Sequence, residues 1–338
     1  MKRLKLAVPF SECEHYPCDY VAMDALLRFY GYETPLIIHT EWFFLYERRN
    51  DGIINATSRS VSPGERLRQF GIRASQLRER DVDVAWRMVR ARIETGDPIA
   101  ALMDTCQLET HYYPGLGHHS NHYVILAGFD DRLQTVHLVD PSWIVRFRGD
   151  LSLSDFKVAW KLESDLDYQW LELHPPDSRP KLQAQQLFNA IMRNIGLMLH
   201  SCVSAPESFV GLNALQVLSD DLIRWKELET NKARKCLQQL HTQLRDTIIE
   251  RDGHGRFLCL IAEHLHEPKF ARIGENLRKI TQKWLVFRNL CFKAQVKALR
   301  QTLTRLHGRL LEIKSLEEDA LLDMEKALLS HRVEVRAK

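Results

Sequence analysis

The sequence lacks several features that define whole classes of protein. It has no run of about 18 or more apolar residues, so we expect no membrane-spanning helix. No signal-peptide core follows the basic residues 1–5, and the seven cysteines are an odd number without regular spacing. Reduced thiols in a cytoplasm are therefore expected, not a disulfide framework. No recognised nucleic-acid motif accompanies the basic residues, so we expect neither nucleic acid nor a membrane as a partner.

Length and composition favour a globular chain of two domains. The 338 residues are 45% hydrophobic and 27% charged, and one ordinary core does not hold so many residues. Residues 174–180 (His-Pro-Pro-Asp-Ser-Arg-Pro) mark the boundary that we predict, with residues 1–176 before it and 177–338 after it. The first part predicts an α+β domain, an N-terminal helix packed on an antiparallel sheet. The second part predicts helices over residues 182–200, 210–227, 232–250, 257–266 and 270 to about 329.

A short helix with a cysteine at its start is predicted near the N-terminus. Pro17 suits the first turn of a helix, Gly31 is a natural left-handed stop, and apolar residues between them recur at helical spacing. Cys18 then lies beside unpaired backbone N–H groups and the positive end of the helix dipole, which favour the nucleophilic thiolate. The alternative is that Cys18 is a small buried apolar residue. Cys13 precedes the helix and is the weaker candidate nucleophile.

A hairpin about a hundred residues later supplies two partners for this thiol. Residues 121–129 form a predicted strand that opens with His122, and residues 136–141 form a second strand that ends at Asp140 and Pro141. In an antiparallel hairpin the start of one strand lies beside the end of the next, so His122 and Asp140 are predicted neighbours. A cysteine, a histidine that takes its proton and a carboxylate that orients the histidine form a nucleophilic triad.

These motifs resemble those of a known group of proteins. The spacing from Cys18 to Gly31, followed by His-Tyr-Val-Ile-Leu and then Val-Asp-Pro, resembles the papain-like cysteine peptidases that process bacteriocins. It is closer still to the butirosin biosynthesis protein H-type acyltransferases, which share that fold. Their strand before the histidine resembles residues 96–104 here, and their helical half resembles residues 211–215, 220–225 and 251–257.

The resemblance implies a fold and an activity. Residues 1–176 are expected to form a papain-like catalytic domain, and residues 177–338 an all-helical domain. Members of this family take an acyl group from the thioester of an acyl carrier protein and give it to an amine in specialised metabolism, such as antibiotic biosynthesis. The expected catalytic residues are Cys18, His122 and Asp140. No cofactor is expected, because phosphopantetheine arrives with the acyl group on the carrier.

The chain departs from the papain-like pattern at one position. Such peptidases have a glutamine upstream of the cysteine that helps to stabilise the developing oxyanion, and this chain has Glu12 at the matching place. A carboxylate there repels negative charge, so either Glu12 does not occupy that place, or it is protonated, or another group donates. We expect a substitute donor, such as the backbone N–H of Cys18 with His15 or Tyr16. The candidates for the oxyanion site or the substrate pocket are Glu12, His15, Tyr16, Tyr112 and Tyr113.

Charge is distributed unevenly along the chain. From residue 181 onward there are 26 Lys or Arg and 18 Asp or Glu, a net charge of +8, whereas the first 180 residues carry a net charge of −5. Basic residues between 269 and 314 form either a solvated helix face or a surface for an acidic partner, and the resemblance suggests the carrier protein. The docking candidates are Lys279, Lys283, Arg288, Lys293 and Lys297. Apolar residues from 285 to 310 predict a face buried in a bundle or in a second copy of the chain.

Two other interpretations compete with a transferase. In the first, water is the acceptor, and the same triad makes the protein a cysteine peptidase or a thioesterase. In the second, the protein binds a partner and does not use the triad, and the presence of Glu12 is the main argument for it. The clusters His118-His119-x-x-His122 and Cys13, His15 and Cys18 contain zinc-ligand types, but neither has a standard structural-zinc spacing, so we expect no metal.

Overall fold

The computed structural model describes residues 2–11, 16–49, 53–58, 63–110, 115, 119–142, 145–162, 167–176, 184–200, 207–297 and 299–336, without the side chains of residues 63 and 331–336. These residues form two compact units. The first contains residues 1–34 and 64–180, and the second contains residues 35–63 and 181–338.

Helices and strands of both units are numbered along the chain. They are β1 (Arg3–Lys5), α1 (Cys18–Phe29), α2 (Pro35–Ile38), β2 (Leu45–Arg48), β3 (Ile54–Thr57), α3 (Pro63–Gln69), β4 (Arg73–Glu79), α4 (Val82–Glu94), β5 (Ile99–Asp104), β6 (Asn121–Asp130), β7 (Thr135–Asp140), β8 (Phe147–Ser152), α5 (Leu153–Trp160), β9 (Tyr168–His174), α6 (Ala184–Leu199), β10 (Ser208–Val210), α7 (Gly211–Arg224), α8 (Thr230–Leu265), α9 (Pro268–Val296) and α10 (Leu299–Arg336). None of the helices in the described ranges combines the length and apolarity needed to cross a bilayer.

An antiparallel sheet is the centre of the first unit. Its strands lie in the order β4-β9-β5-β6-β7-β8, and β1 pairs with β6. Helix α1 lies against β5 and β6, while α4 and α5 cover a core that includes Val89, Phe156 and Trp160. The prediction of an α+β chain, with an antiparallel sheet in the N-terminal part and a helical C-terminal region, is confirmed.

Helix α1 forms where the sequence predicts it. Pro17 has an extended backbone and precedes the helix, whose first residue is Cys18 and whose first turn carries Asp19. The chain leaves the helix at Gly31, whose φ of +76° is one that a residue without Cβ adopts readily. Side chains between residues 20 and 27 are buried, so the helix is held on the sheet by its apolar face with Cys18 at one end.

Residues 35–63 differ from the sequence prediction. The predicted boundary assigns them to the first domain, but they belong to the second unit, where β2 and β3 form a small sheet with β10. The reason is the aromatic run at residues 42–46. Trp42, Phe44 and Tyr46 are fully buried in the same apolar cluster as helices α7 to α10. Strands this short cannot bury such residues by themselves.

Two helix predictions in the second unit are wrong. Glycines 253 and 255 suggest a break, yet α8 runs through them, because they allow close contact and not a turn. A Cβ on Gly255 would lie 2.8 Å from the carbonyl oxygen of Gly274 in α9, and one on Gly253 would meet the ring of His39. Conversely, the predicted helix from 270 to 329 is divided after Val296, since Lys297 has extended backbone angles.

A buried ion pair lies in the core of the second unit. Arg251 and Glu317 are both fully buried, with Nε 2.7 Å from Oε1 and Nη2 3.1 Å from Oε2. The indole N–H groups of Trp42 and Trp284 also donate to the carboxylate of Glu317, at 3.2 and 2.7 Å. Arg251 donates a further hydrogen bond to the carbonyl of Phe43. Both charges are thus compensated by several hydrogen bonds away from water.

Candidate active site

Cys18 is the half-buried first residue of α1, at the end of the helix where backbone N–H groups have no intrahelical acceptor. Its Sγ lies 3.9 Å from the carbonyl oxygen of Asn121, the first residue of β6. The thiol therefore lies directly beside the strand that carries His122. The five cysteines within the described ranges are free thiols, of which Cys106, Cys236 and Cys291 are buried.

His122 and Asp140 are brought together by the hairpin. Strands β6 and β7 pair antiparallel with Ile125 opposite Val139, so the start of β6 lies beside the end of β7. Nε2 of His122 lies 2.8 Å from Oδ2 of Asp140, as the sequence predicts from strand order alone. The other carboxylate oxygen of Asp140 accepts a hydrogen bond from the backbone N–H of Ser142 at 3.0 Å. Asp140 is fully buried, which fixes its direction.

These contacts determine the pKa of His122. Burial by itself lowers the pKa of His122, but hydrogen bonds with Asp140 and Cys18, together with their charges, raise it to about 9. The pKa of Asp140 lies below its usual value, since burial raises it less than the hydrogen bond and the charge of His122 lower it. With Nε2 directed at Asp140, the ring nitrogen that remains for Cys18 is Nδ1.

These contacts give a measurable prediction for Asp140→Asn. The substitution keeps a hydrogen-bond acceptor but removes the charge, so the pKa of His122 should fall below about 9, measured by titrating the His122 Cε1–H resonance. In the wild type the pKa of His122 is higher in the folded protein than its unfolded value of 6.5. The stability that this difference contributes is fully present below pH 6.5 and is lost as the pH rises through about 9. The control is Asp150→Asn. Asp150 forms a similar pair with His137, at 2.7 Å, and its replacement should leave the His122 resonance unchanged. An unchanged pKa in Asp140→Asn would contradict the assignment.

The oxyanion and pocket candidates are only partly within the described residues. Glu12, His15, Tyr112 and Tyr113 lie outside them. Tyr16 is buried and packs edge to face on Tyr20, with ring centroids 6.3 Å apart. Sequence reasoning did not single out Tyr123, which follows His122 on β6. Burial, with the charges of Asp19 and Cys18, raises the pKa of Tyr123 to about 12, so its hydroxyl stays protonated at neutral pH.

A second histidine–carboxylate pair lies at the same end of the sheet. Nδ1 of His119 is 2.7 Å from Oδ2 of Asp104, the last residue of β5. Sequence reasoning considered His119 only as a zinc ligand and did not give Asp104 a role. The signal that was available is the one used for Asp140, a carboxylate at the end of a strand that pairs with β6. In the part of the chain that the structure describes, no group of three metal-ligating side chains is arranged to hold a metal ion.

The docking candidates on α9 separate into two groups. Lys279, Lys293 and Lys297 are exposed. Lys283 forms an ion pair with Glu312 at 2.6 Å, and Arg288 donates to the carbonyl of His241 at 2.8 Å. The three exposed lysines are the stronger candidates for contact with a partner. Four apolar side chains that are also exposed lie on the same helix, namely Leu285, Val286, Phe292 and Val296.

Comparison with known proteins informs the helical part of the chain. Residues 165–324 match the model of a family described as a domain of unknown function, DUF4872. This match begins just before β9, extends through most of α10 and does not include Cys18, His122 or Asp140. No curated protein matches the chain.

Proposed function

We propose that this protein is a cysteine-dependent acyltransferase with a papain-like catalytic unit. The observation that carries the proposal is the thiol of Cys18 at the start of α1, 3.9 Å from the carbonyl oxygen of Asn121 and so beside His122, whose Nε2 lies 2.8 Å from the buried carboxylate of Asp140. A nucleophile, a base and an orienting group thus lie together in the order that acyl transfer through a thiol requires. The family resemblance of the same motifs supports the assignment.

In the first half-reaction Cys18 gives its proton to His122 and attacks the carbonyl carbon of a thioester. The C–S bond to the donor breaks, a new C–S bond to Cys18 forms, and the departing thiolate takes the proton from His122. Asp140 holds the imidazole in position and stabilises its charged form. The N–H groups at the start of α1 are suited to donate to the carbonyl oxygen as it becomes negative, a role that Glu12 cannot fill as a carboxylate.

The donor that fits the second unit is an acidic carrier protein. Exposed Lys279, Lys293 and Lys297, with the apolar side chains beside them on α9, form a surface that attracts negative charge and offers apolar contact. Phosphopantetheine on the carrier supplies the thioester, so the chain needs no cofactor of its own. The acceptor in this proposal is a small-molecule amine of specialised metabolism, with a cytoplasmic location. The alternative is that the α9 surface pairs with a second copy of the chain, and the oligomeric state of the protein tests it.

The test is the mass of the intact protein after mixing with an S-acyl-N-acetylcysteamine thioester. We expect one acyl group on the wild type, on the peptide that contains Cys18, and none on Cys18→Ala. The matched control is Cys259→Ala, which removes another half-buried thiol and should acylate like the wild type. Adding a primary amine should then yield amide and free enzyme. Rapid loss of the acyl group without amine would favour the peptidase or thioesterase alternative, and absence of any adduct would favour the binding protein.

A further inference from the structure

An open cleft lies within the second unit and has no part in the proposed acyl transfer. It is lined by β2, the start of β3, the end of α7 with the turn that follows, and the first part of α8. Its volume is about 350 Å³. Small-molecule sites usually measure about 300–1,000 Å³, so the cleft is large enough for a small organic ligand.

The polar side of the cleft is built around the carboxylate of Asp221. This side chain is 6% exposed, and Arg48 donates to both of its oxygens, from Nε at 2.7 Å and from Nη2 at 2.8 Å. The hydroxyl of Tyr46, which is fully buried, donates to Oδ2 at 2.8 Å. The charge of Asp221 is therefore compensated within the protein, and an anion can approach it without strong repulsion.

Arg48 is held in one direction and keeps donors to spare. It also donates from Nη1 to Glu207 at 3.1 Å, and its guanidinium lies over the ring of Phe209, 5.2 Å from the centroid. A guanidinium has five N–H groups, and the contacts with Asp221 and Glu207 use three of them. The side chain of Arg48 is 29% exposed. An oxygen of a bound anion can therefore accept from the N–H groups that remain on Nη1 and Nη2.

Two more arginines make the cleft positive. The side chain of Arg224 is 68% exposed, and Nη1 lies 3.5 Å from Oδ1 of Asp221, an oxygen that Arg48 already contacts more closely. Arg49 lines the same cleft and is exposed. The lining thus has three arginines and two carboxylates, those of Asp221 and Glu207. This excess of positive charge favours an anionic ligand.

Apolar side chains form another part of the lining. Trp225 and Ile54 are buried, so they provide a fixed apolar wall. Leu228 belongs to the same lining and is 40% exposed. A ligand with an apolar body would remove the surface of Leu228 from water, which is favourable.

We propose that this cleft binds a small organic anion, a molecule that carries a carboxylate or a phosphate group beside an apolar body. The anionic oxygens accept hydrogen bonds from Arg48 and Arg224, and the apolar body packs on Trp225 and Leu228. The inference goes beyond the proposed function and does not depend on it, because none of these residues belongs to the triad.

The test uses two fluorescent probes that differ in charge. One is 1-anilinonaphthalene-8-sulfonate, an aromatic anion, and the other is N-phenyl-1-naphthylamine, which lacks the sulfonate. Arg224→Gln should weaken binding of the anion about tenfold or more and leave binding of the neutral probe unchanged, which also shows that the cleft is still formed. Leu228→Ser should weaken the binding of both probes.

Two control variants locate the probe. Arg309, like Arg224, is more than half exposed and pairs with a carboxylate three residues away, so Arg309→Gln should bind both probes as the wild type does. The α9 surface is the competing site, since it too combines exposed lysines with apolar side chains, and Lys293→Gln is therefore measured in parallel. Equal affinity of the wild type and Arg224→Gln for the anion, or a loss of affinity in Lys293→Gln alone, would overturn the inference.

Competition then shows which anionic group the cleft takes. Octanoate and phenyl phosphate are added to the protein with the sulfonate probe bound. Displacement by octanoate supports a carboxylate ligand, and displacement by phenyl phosphate supports a phosphate ester. If neither displaces the probe, the cleft is not a site for organic anions of this kind.

Discussion

Cys18→Ala is expected to lower the rate of acyl-enzyme formation by at least about 10⁴-fold, because loss of the nucleophile removes the covalent route altogether. Among the described residues of the first unit the one other thiol is that of Cys106, which is buried and so cannot take its place. Backbone N–H groups at the start of α1 remain, so weak binding of the thioester should persist. The measurement is acylation followed by mass over time.

Two comparisons keep this result interpretable. Cys259→Ala should acylate at the wild-type rate, which shows that loss of a half-buried thiol is not itself harmful. His122→Gln should be nearly as slow as Cys18→Ala, and the double variant no slower than either, because residues of one triad act as a unit. Retention of acylation in Cys18→Ala would move the nucleophile elsewhere, with Cys13 the next residue to examine.

The second large effect concerns stability, where Glu317→Gln is expected to cost about 3–5 kcal/mol of unfolding free energy. The substitution keeps the shape and an oxygen acceptor but leaves Arg251 charged, fully buried and without its counter-ion. One of the indole donors, from Trp42 or Trp284, also loses its acceptor when an amide NH₂ replaces the second oxygen. Denaturant unfolding followed by circular dichroism measures the change.

A neighbouring residue supplies the control. Glu318 pairs with Lys314 at 3.9 Å with its side chain 46% exposed, so Glu318→Gln should change stability by less than about 0.5 kcal/mol. Replacing the whole pair, with Arg251→Met and Glu317→Leu together, should recover much of the loss, since no uncompensated charge remains. If Glu317→Gln and Glu318→Gln have equal stability, the buried pair does not hold the core as described.

The local sequence pattern was sufficient to predict those parts of the site that depend on one helix or on two adjacent strands. A helix start and a hairpin have short-range signals, so the place of Cys18 on α1 and the contact of His122 with Asp140 follow from the residues alone. The pairing of β5 with β6 was equally local. The contact of Asp104 with His119 did not follow in the same way, because the motif His118-His119-x-x-His122 indicates metal ligands and not a histidine–carboxylate pair.

Long-range packing explains the remainder. Nothing near residues 42–46 tells which core will cover their aromatic side chains, and the structure places them among helices more than a hundred residues away. Glycine spacing in α8 has the same ambiguity, since a glycine suits a turn or a close contact equally well. The contact of Gly255 with Gly274 decides for the latter.

The membership of residues 35–63 in the second unit affects how the protein is made on the ribosome. Their partners begin at residue 181, so about 120 residues must be synthesised before any of the covering helices exists. At about 5–20 residues per second that takes roughly 6–24 s, during which Trp42, Phe44 and Tyr46 have no core to enter. The nascent chain is therefore most exposed to aggregation in that interval, and this is when a chaperone that binds short aromatic segments would act on it.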